Sequence, residues 1–354
     1  MNQTRGPCMA EAIIALRGWH PAVSRAEVIA MFPDSSIKRT QGRRLLKIIG
    51  DADYSVTDFL SGTEAILTEG GIAEWHSLSS LVGEIDFTAK PNMKVECWRH
   101  GGKIANTSTQ KISQTIGGLF NEAGATINLE NPQHRFGVVL DAESGLVAWG
   151  WMNGDGPGSQ GWSAMRANNR PFFKPISLEP RLARAVVNIA AGIGQNYVLD
   201  PMCGTGGLLI ESALCNRPTV GIDVDPEMVE GAKKNIEWAG VDVEIQRADA
   251  TTFQIGEEVS GVVLDPPYGR NSQGTLDHDV LLSRTLKNIR NQVKTGCRFV
   301  MIMPTSPELV DLDEEIKTDD FLELFEDSGW MINSRYCIPI HSSLARQLII
   351  ATAD

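Results

Sequence analysis

At 354 residues, the chain has length for two or three domains, and its hydrophobic share of 42% and charged share of 21% fit a soluble globular protein. No apolar run approaches the ~20 residues of a membrane span, and the short stretch Ala12-Ile13-Ile14-Ala15-Leu16 after Glu11 lacks the pattern of a secretory signal, so a cytoplasmic protein is expected. The net charge of −12, taken alone, argues against a nucleic-acid binder, although the first 165 residues carry only −3 of it.

Residues 1–75 read as a small α/β unit. Pro21-Ala22-Val23-Ser24-Arg25-Ala26-Glu27 opens a helix, with Ser24 and Glu27 spaced as a capping box before Val28-Ile29-Ala30-Met31-Phe32. Arg43 to Ile49 reads as a strand ended by Gly50-Asp51. In a second unit, over about residues 76–160, Met93 to Trp98 alternates as a strand and a polar loop runs from Arg99 to Ser108. Ile112, Ile116, Leu119 and Phe120 then mark a helix ending at Gly124. Three further strands are expected at Thr126–Leu129, Phe136–Leu140 and Leu146–Trp149, which makes a compact α+β module.

The run Asn153-Gly154-Asp155-Gly156-Pro157-Gly158-Ser159 has the composition of a boundary loop. Beyond it, Arg166 to Arg184 holds five bases (Arg166, Arg170, Lys174, Arg181, Arg184) against one acid, Glu179, a local strip able to meet phosphates. From Tyr197 onward strands and helices alternate as in a doubly wound sheet. Strands are expected at 197–199, 219–222, 241–245, 259–264 and 298–303, with a final pair near 335–340 and 346–352. Pro226 sits where a first helical turn takes it. Glu308 to Asp327 carries ten acids against one base, Lys317, and reads as a solvated face. The six cysteines are scattered with no Cys-x-x-Cys pair and no His/Cys cluster, so reduced thiols and no metal site are expected.

Four strand ends carry acids: Asp200, Asp223, Asp249 and Asp265. In open α/β sheets, ligands bind outside those ends. The first loop, Asp200-Pro201-Met202-Cys203-Gly204-Thr205-Gly206-Gly207, lets the backbone pass close to a ligand, yet it lacks the dinucleotide fingerprint and the Gly-Lys-Ser/Thr of a P-loop. An acid before the loop suits a cationic ligand better than a pyrophosphate. Asp223 is placed for ribose hydroxyls, and Asp249 with Ala250 for an adenine amino group. Each acid could instead cap a helix or shape a turn. Together they describe a site for S-adenosylmethionine, with Cys203, Gly204 and Gly206 in its loop.

The fourth strand stops in Asp265-Pro266-Pro267-Tyr268. Neither proline donates a ladder hydrogen bond, and Pro267 biases Pro266 away from the helical region. An amino group on a flat base could donate to Asp265 and to the Pro266 carbonyl while Tyr268 stacks on the ring. The alternative is a strand-ending turn with a packed tyrosine.

At these residues the chain resembles a known family. The last domain looks like the Rossmann-fold methyltransferases, and Asp265-Pro266-Pro267-Tyr268 matches the Asp/Asn-Pro-Pro-Tyr/Phe motif of those that methylate exocyclic amino groups. Gly117 and Asn128-Leu129-Glu130-Asn131-Pro132 resemble a THUMP domain. Gly18-Trp19-His20-Pro21 with Arg25-Ala26-Glu27-Val28 resembles the small domain found before it. Asp265 to Ser272 and Pro201 to Gly207 are similar to the archaeal tRNA guanine-10 N2-methyltransferases. The resemblance implies an α/β fold in four parts: a ferredoxin-like domain over 1–75, an RNA-binding THUMP domain over 76–160, a linker over 161–184, and a methyltransferase domain over 185–354. That last domain would be a doubly wound sheet with an antiparallel last strand. It also implies tRNA as substrate, the exocyclic N2 of a guanosine as acceptor, and, in some relatives, a small zinc-binding activator protein. Arg166, Arg170, Lys174 and Arg270 are the expected RNA contacts, with Pro180 and the segment from Arg166 to Lys174 open to lining either the cofactor or the RNA path. Another tRNA or rRNA guanosine, adenine N6, or a non-catalytic RNA-binding subunit remain as alternatives.

Overall fold

The computed structural model describes residues 11–18, 20–157, 161–174, 177–256, 258–267, 278–305, 322–342 and 344–354. The chain divides into two compact units, Met1–Gln160 and Gly161–Asp354.

In the first unit the elements run β1 (Glu11–Leu16), α1 (Pro21–Met31), β2 (Ser36–Arg39), β3 (Leu45–Ile49), β4 (Thr63–Glu74), α2 (Leu78–Glu84), β5 (Met93–His100), α3 (Thr109–Glu122), β6 (His134–Asp141) and β7 (Leu146–Asn153). The seven strands among the described residues of this unit belong to one sheet, ordered β2-β3-β1-β4-β7-β6-β5. β4 is its pivot, pairing antiparallel with β1 on one side and β7 on the other. The expected division at 75/76 therefore falls just past a strand that joins both halves. Sequence patterning missed β4 because Gly70-Gly71 interrupts its alternation, and a bulge lies between Thr68 and Gly71. Where a strand was expected at Thr126–Leu129, Ile127 makes one isolated bridge to Met93.

Helix α1 corrects the expected capping box. It begins at Pro21, with His20 as an N-cap that makes no side-chain cap bond. Ser24, one turn inside, donates back to the His20 carbonyl at 2.9 Å. Glu27 is fully buried. Its carboxylate accepts from the Ser61 amide at 2.9 Å, the Ser61 hydroxyl at 3.0 Å and the Gly62 amide at 2.8 Å. Its job is to clamp α1 to the entry of β4. Around that clamp pack Ile14, Leu16, Val28, Met31, Leu46 and Ile66. A second cluster joins α3 (Ile112, Ile116, Phe120) to Phe136, Val138, Trp149 and Trp151.

The second unit runs α4 (Pro180–Ala191), β8 (Val198–Asp200), α5 (Gly207–Ala213), β9 (Thr219–Asp223), α6 (Pro226–Ala239), β10 (Glu244–Arg247), β11 (Gly261–Leu264), α7 (His278–Arg290), β12 (Arg298–Thr305), α8 (Leu322–Glu326), β13 (Trp330–His341) and β14 (Leu344–Ala353). Its sheet is ordered β10-β9-β8-β11-β12-β14-β13. The first five strands are parallel to their neighbours, and β14, the last in the chain, inserts antiparallel between β12 and β13. The doubly wound sheet with an antiparallel last strand is thus the architecture observed. The central strands are apolar on both faces, as helix-covered parallel strands must be: Val262, Val263, Leu264, Phe299, Val300 and Met301 are all fully buried. Helix α6 has Asp225 as N-cap, Pro226 in its first turn and Gly240 in the left-handed region as its C-cap. Helix α4 starts at Pro180 with Glu179 as its N-cap, so the last turn of the expected linker, 161–184, is helix.

Glu27→Ala leaves three buried donors without their acceptor. We expect it to destabilise the first unit by about 3 kcal/mol, read as a lower denaturant midpoint with an unchanged slope. An unchanged midpoint would mean the clamp contributes nothing.

Candidate active site

The chain leaves β8 for β9 and β10 on one side of the sheet, then returns to place β11 and β12 on the other. β8 and β11 are hydrogen-bonded neighbours, so the crevice outside their ends is the topological switch point of the sheet. Asp200 ends β8 and Asp265 directly follows β11; Asp223 ends β9, and Asp249 lies two residues beyond β10. The fold therefore brings all four acids to one edge.

Asp200 is 1% exposed, and the Met202 amide donates to its Oδ1 at 3.3 Å. Burial pushes its pKa well above the ordinary carboxylate range, and the charges of Asp265 and Asp223 push in the same direction. Asp223 is also raised, chiefly by burial, against the pull of backbone amides at Asp225 and Gly204. Those amides donate to Oδ1 at 2.9 Å and Oδ2 at 2.8 Å. Asp223 thus fixes the glycine loop to the end of β9 through both of its carboxylate oxygens. Asp249 shapes the turn after β10, its Oδ1 accepting from the Thr251 amide and hydroxyl, both at 2.8 Å.

The loop turns on two left-handed glycines. Gly204 has φ +52° with open space where a side chain would stand, and Gly206 has φ +79° with the Ala232 methyl 3.3 Å from its missing Cβ. Cys203 turns its side chain away from the loop's open side. Its side chain is buried with Leu209, Ile210 and Ile236, and burial raises its thiol pKa. It shapes the loop through its backbone, the amide bonding to the Ile222 carbonyl at 2.8 Å and the carbonyl accepting from Gly206 at 2.8 Å. Ala250 is buried, its carbonyl accepting from Asn288 at 3.1 Å. Asp265 is half-buried, Pro266 buried and Pro267 exposed; Tyr268 and Arg270 lie outside the described residues.

The basic strip is less of a surface than its charges suggested. Arg166 is exposed, but Arg170 is only 5% exposed and Arg184 only 7%. Lys174 pairs with Glu227 at 2.8 Å. Guanidiniums inside a folded unit cannot meet an RNA backbone, which corrects the expectation for Arg170.

Two residues were missed. Val224, 64% exposed directly after Asp223, offers an apolar surface at the strand edge for a flat ring. Its signal was an apolar residue between a strand-end acid and the N-cap Asp225. Asn235, fully buried on α6, binds the Phe172 amide and carbonyl and the Thr205 carbonyl, each at 2.9 Å. It ties the strip to the glycine loop, and its signal was an amide on the apolar face of an amphipathic helix. The open glycine, the uncovered valine and a carboxylate edge in need of a cation fit S-adenosylmethionine. Among the described residues, no group of three or more His, Cys, Asp or Glu could hold a metal.

The raised carboxyls carry a pH signature. Asp200 holds its proton to higher pH in the folded protein than in the unfolded chain, so the stability tied to it is fully present below about pH 4 and is lost as pH rises through its folded pKa. Relative to wild type, Asp200→Asn should gain stability as pH rises, by denaturant unfolding at stepped pH; a difference independent of pH would contradict the assignment.

Residues 167–325 match the UPF0020 family, described as an RMKL-like methyltransferase domain. The chain is 28% identical to the tRNA (guanine(10)-N2)-dimethyltransferase of Methanothermobacter thermautotrophicus, across 95% of this chain and 97% of that protein. It is 31% identical to the enzyme of the same name from Pyrococcus abyssi, across 69% of each. The crystal structure of TrmN from Thermus thermophilus superimposes with a TM-score of 0.51 at 17% identity, covering 97% of this chain and all of that one, a likeness of fold. The chain belongs to the family of tRNA (guanine(10)-N2)-dimethyltransferases.

Proposed function

We propose that this protein methylates the exocyclic N2 of a guanosine in tRNA, at position 10 as its relatives are named, with S-adenosylmethionine as donor. The observation that carries the reading is the pairing of Asp200 and Asp265 on the neighbouring strands β8 and β11 at the switch point. One acid belongs to a glycine-loop donor site and the other to Asp265-Pro266-Pro267, so donor and acceptor share one crevice. The cofactor supplies an electrophilic methyl on a sulfonium.

The residues of the chain do the positioning. The amino nitrogen of guanine is a poor nucleophile because its lone pair is delocalised into the ring. Asp265 and the Pro266 carbonyl accept its two N–H bonds, hold the nitrogen towards the donor and favour the positive charge that develops on it. Pro267 keeps the Pro266 carbonyl rigid. Tyr268 stacks on the base, which must first leave its helix, and Arg270 with Arg166 meets phosphates. Asp223 holds ribose hydroxyls and Asp249 the adenine edge.

We assign RNA binding to the first unit, with residues 1–75 as its ferredoxin-like part and 76–160 as a THUMP domain, and place the protein in the cytoplasm. A small zinc-binding activator is a candidate partner, and full activity of the purified chain alone would remove it. No described helix is long and apolar enough to cross a membrane.

Digestion of tRNA treated with wild type and with Asp265→Ala tests the reading. Wild type should yield N2-methylguanosine, and the variant should lose about a hundredfold or more in rate. N6-methyladenosine as the product, or retained activity in the variant, would overturn it.

A further inference from the structure

Beside α5, two guanidiniums are buried near one carboxylate. Arg170 is 5% exposed, Arg184 7%, and Glu211 on α5 is fully buried. Arg184 makes the close pair with Glu211, its Nη2 lying 2.8 Å from Oε2 and its guanidinium over the Trp162 ring, while Arg170 also feels the charge of Glu211 without a hydrogen bond to it. Glu179, which also bears electrostatically on Glu211, is exposed, and its side chain caps α4 through the Leu182 amide at 3.2 Å. Arg170 spends Nη2 on the Met165 carbonyl at 3.1 Å. Its Nε and Nη1 are buried and have no hydrogen-bond partner among the described residues. Two buried cations and one buried anion leave a positive excess, and buried donors without acceptors are costly.

The unused edge of Arg170 lies against the donor loop. Nη1 is 3.1 Å from the point where a Cβ on Gly207 would stand, at the end of the loop and the start of α5. The segment that carries Arg170 is held there by Asn235, which bridges Phe172 to the Thr205 carbonyl. Elsewhere the site is acidic, with Asp200, Asp223 and Asp265 coupled by their charges. Those acids suit the sulfonium and ammonium of the cofactor and repel its carboxylate. A planar guanidinium with two free N–H groups matches a carboxylate bidentately, as a lysine cannot.

We propose that Arg170 receives the carboxylate of the cofactor's amino-acid tail. The proposal rests on the donor-site reading above and gives that site its missing positive pole. Arg170, Arg184 and Glu211 with the incoming carboxylate then balance, two charges of each sign.

Calorimetric titration with two probes tests it: S-adenosylhomocysteine, and S-adenosyl-3-thiopropylamine, the same molecule without its carboxylate. Wild type should bind the first about tenfold or more tightly than the second. Arg170→Gln should lose that preference by weakening only for S-adenosylhomocysteine, and its binding of the amine reports that the site is folded. Arg170→Lys should lie between the two, and it carries the same comparison if the glutamine variant does not fold. Equal affinity of wild type for both probes, equal loss for both in a variant, or no loss in either variant would overturn the proposal. Failure of wild type to bind either probe would instead overturn the donor-site reading, and the proposal with it.

Discussion

The second unit depends on a carboxylate in the wrong place for a carboxylate. Asp200 is almost completely buried at the end of β8, where burial and the charges of Asp223 and Asp265 all oppose its ionisation. Folding alone gains nothing from that arrangement, because an apolar residue at the end of β8 would be cheaper. The arrangement is understandable for a crevice that binds a cation, whose charge offsets the cost of ionising Asp200 in a low-dielectric site. The surrounding chain holds the crevice in shape: the left-handed turn at Gly204 and Gly206, the Asp223 bonds to the loop, and the Asn235 bridge to the preceding segment.

The acidic composition is explained by the same logic. The two halves of the chain carry −3 and −9, and part of the excess lies at the strand ends that line the crevice. Some of the bases that seemed to compensate are already engaged: Arg184 answers Glu211 inside the unit, Lys174 answers Glu227 at the surface, and the buried Arg170 faces the loop. Charge counted along the sequence therefore overstated the surface open to RNA in this stretch and understated the electrostatic organisation of the donor site.

Legibility followed the range of the interactions. The parallel strands, the strand-end acids and the turns at Gly204, Pro226 and Gly240 rest on local patterning, and they could be read before any coordinates. What could not be read depends on partners distant in the chain. Glu27 looks like half of a capping box until Ser61 and Gly62, 34 and 35 residues later, claim its carboxylate. β4 breaks its own alternation at Gly70-Gly71 and is a strand because β1 and β7 flank it. Cys203 lies in the loop motif, and only its packing with Leu209, Ile210 and Ile236 shows that its side chain turns inward.

The central claim is that the crevice between β8 and β11 presents an exocyclic amino group to the donor. Transfer of labelled methyl to two tRNA transcripts, one with guanosine at position 10 and one with inosine there, tests it most directly, because inosine keeps the ring and lacks only that amino group. The account predicts labelling of the guanosine transcript and none of the inosine transcript. Equal labelling of both would contradict it.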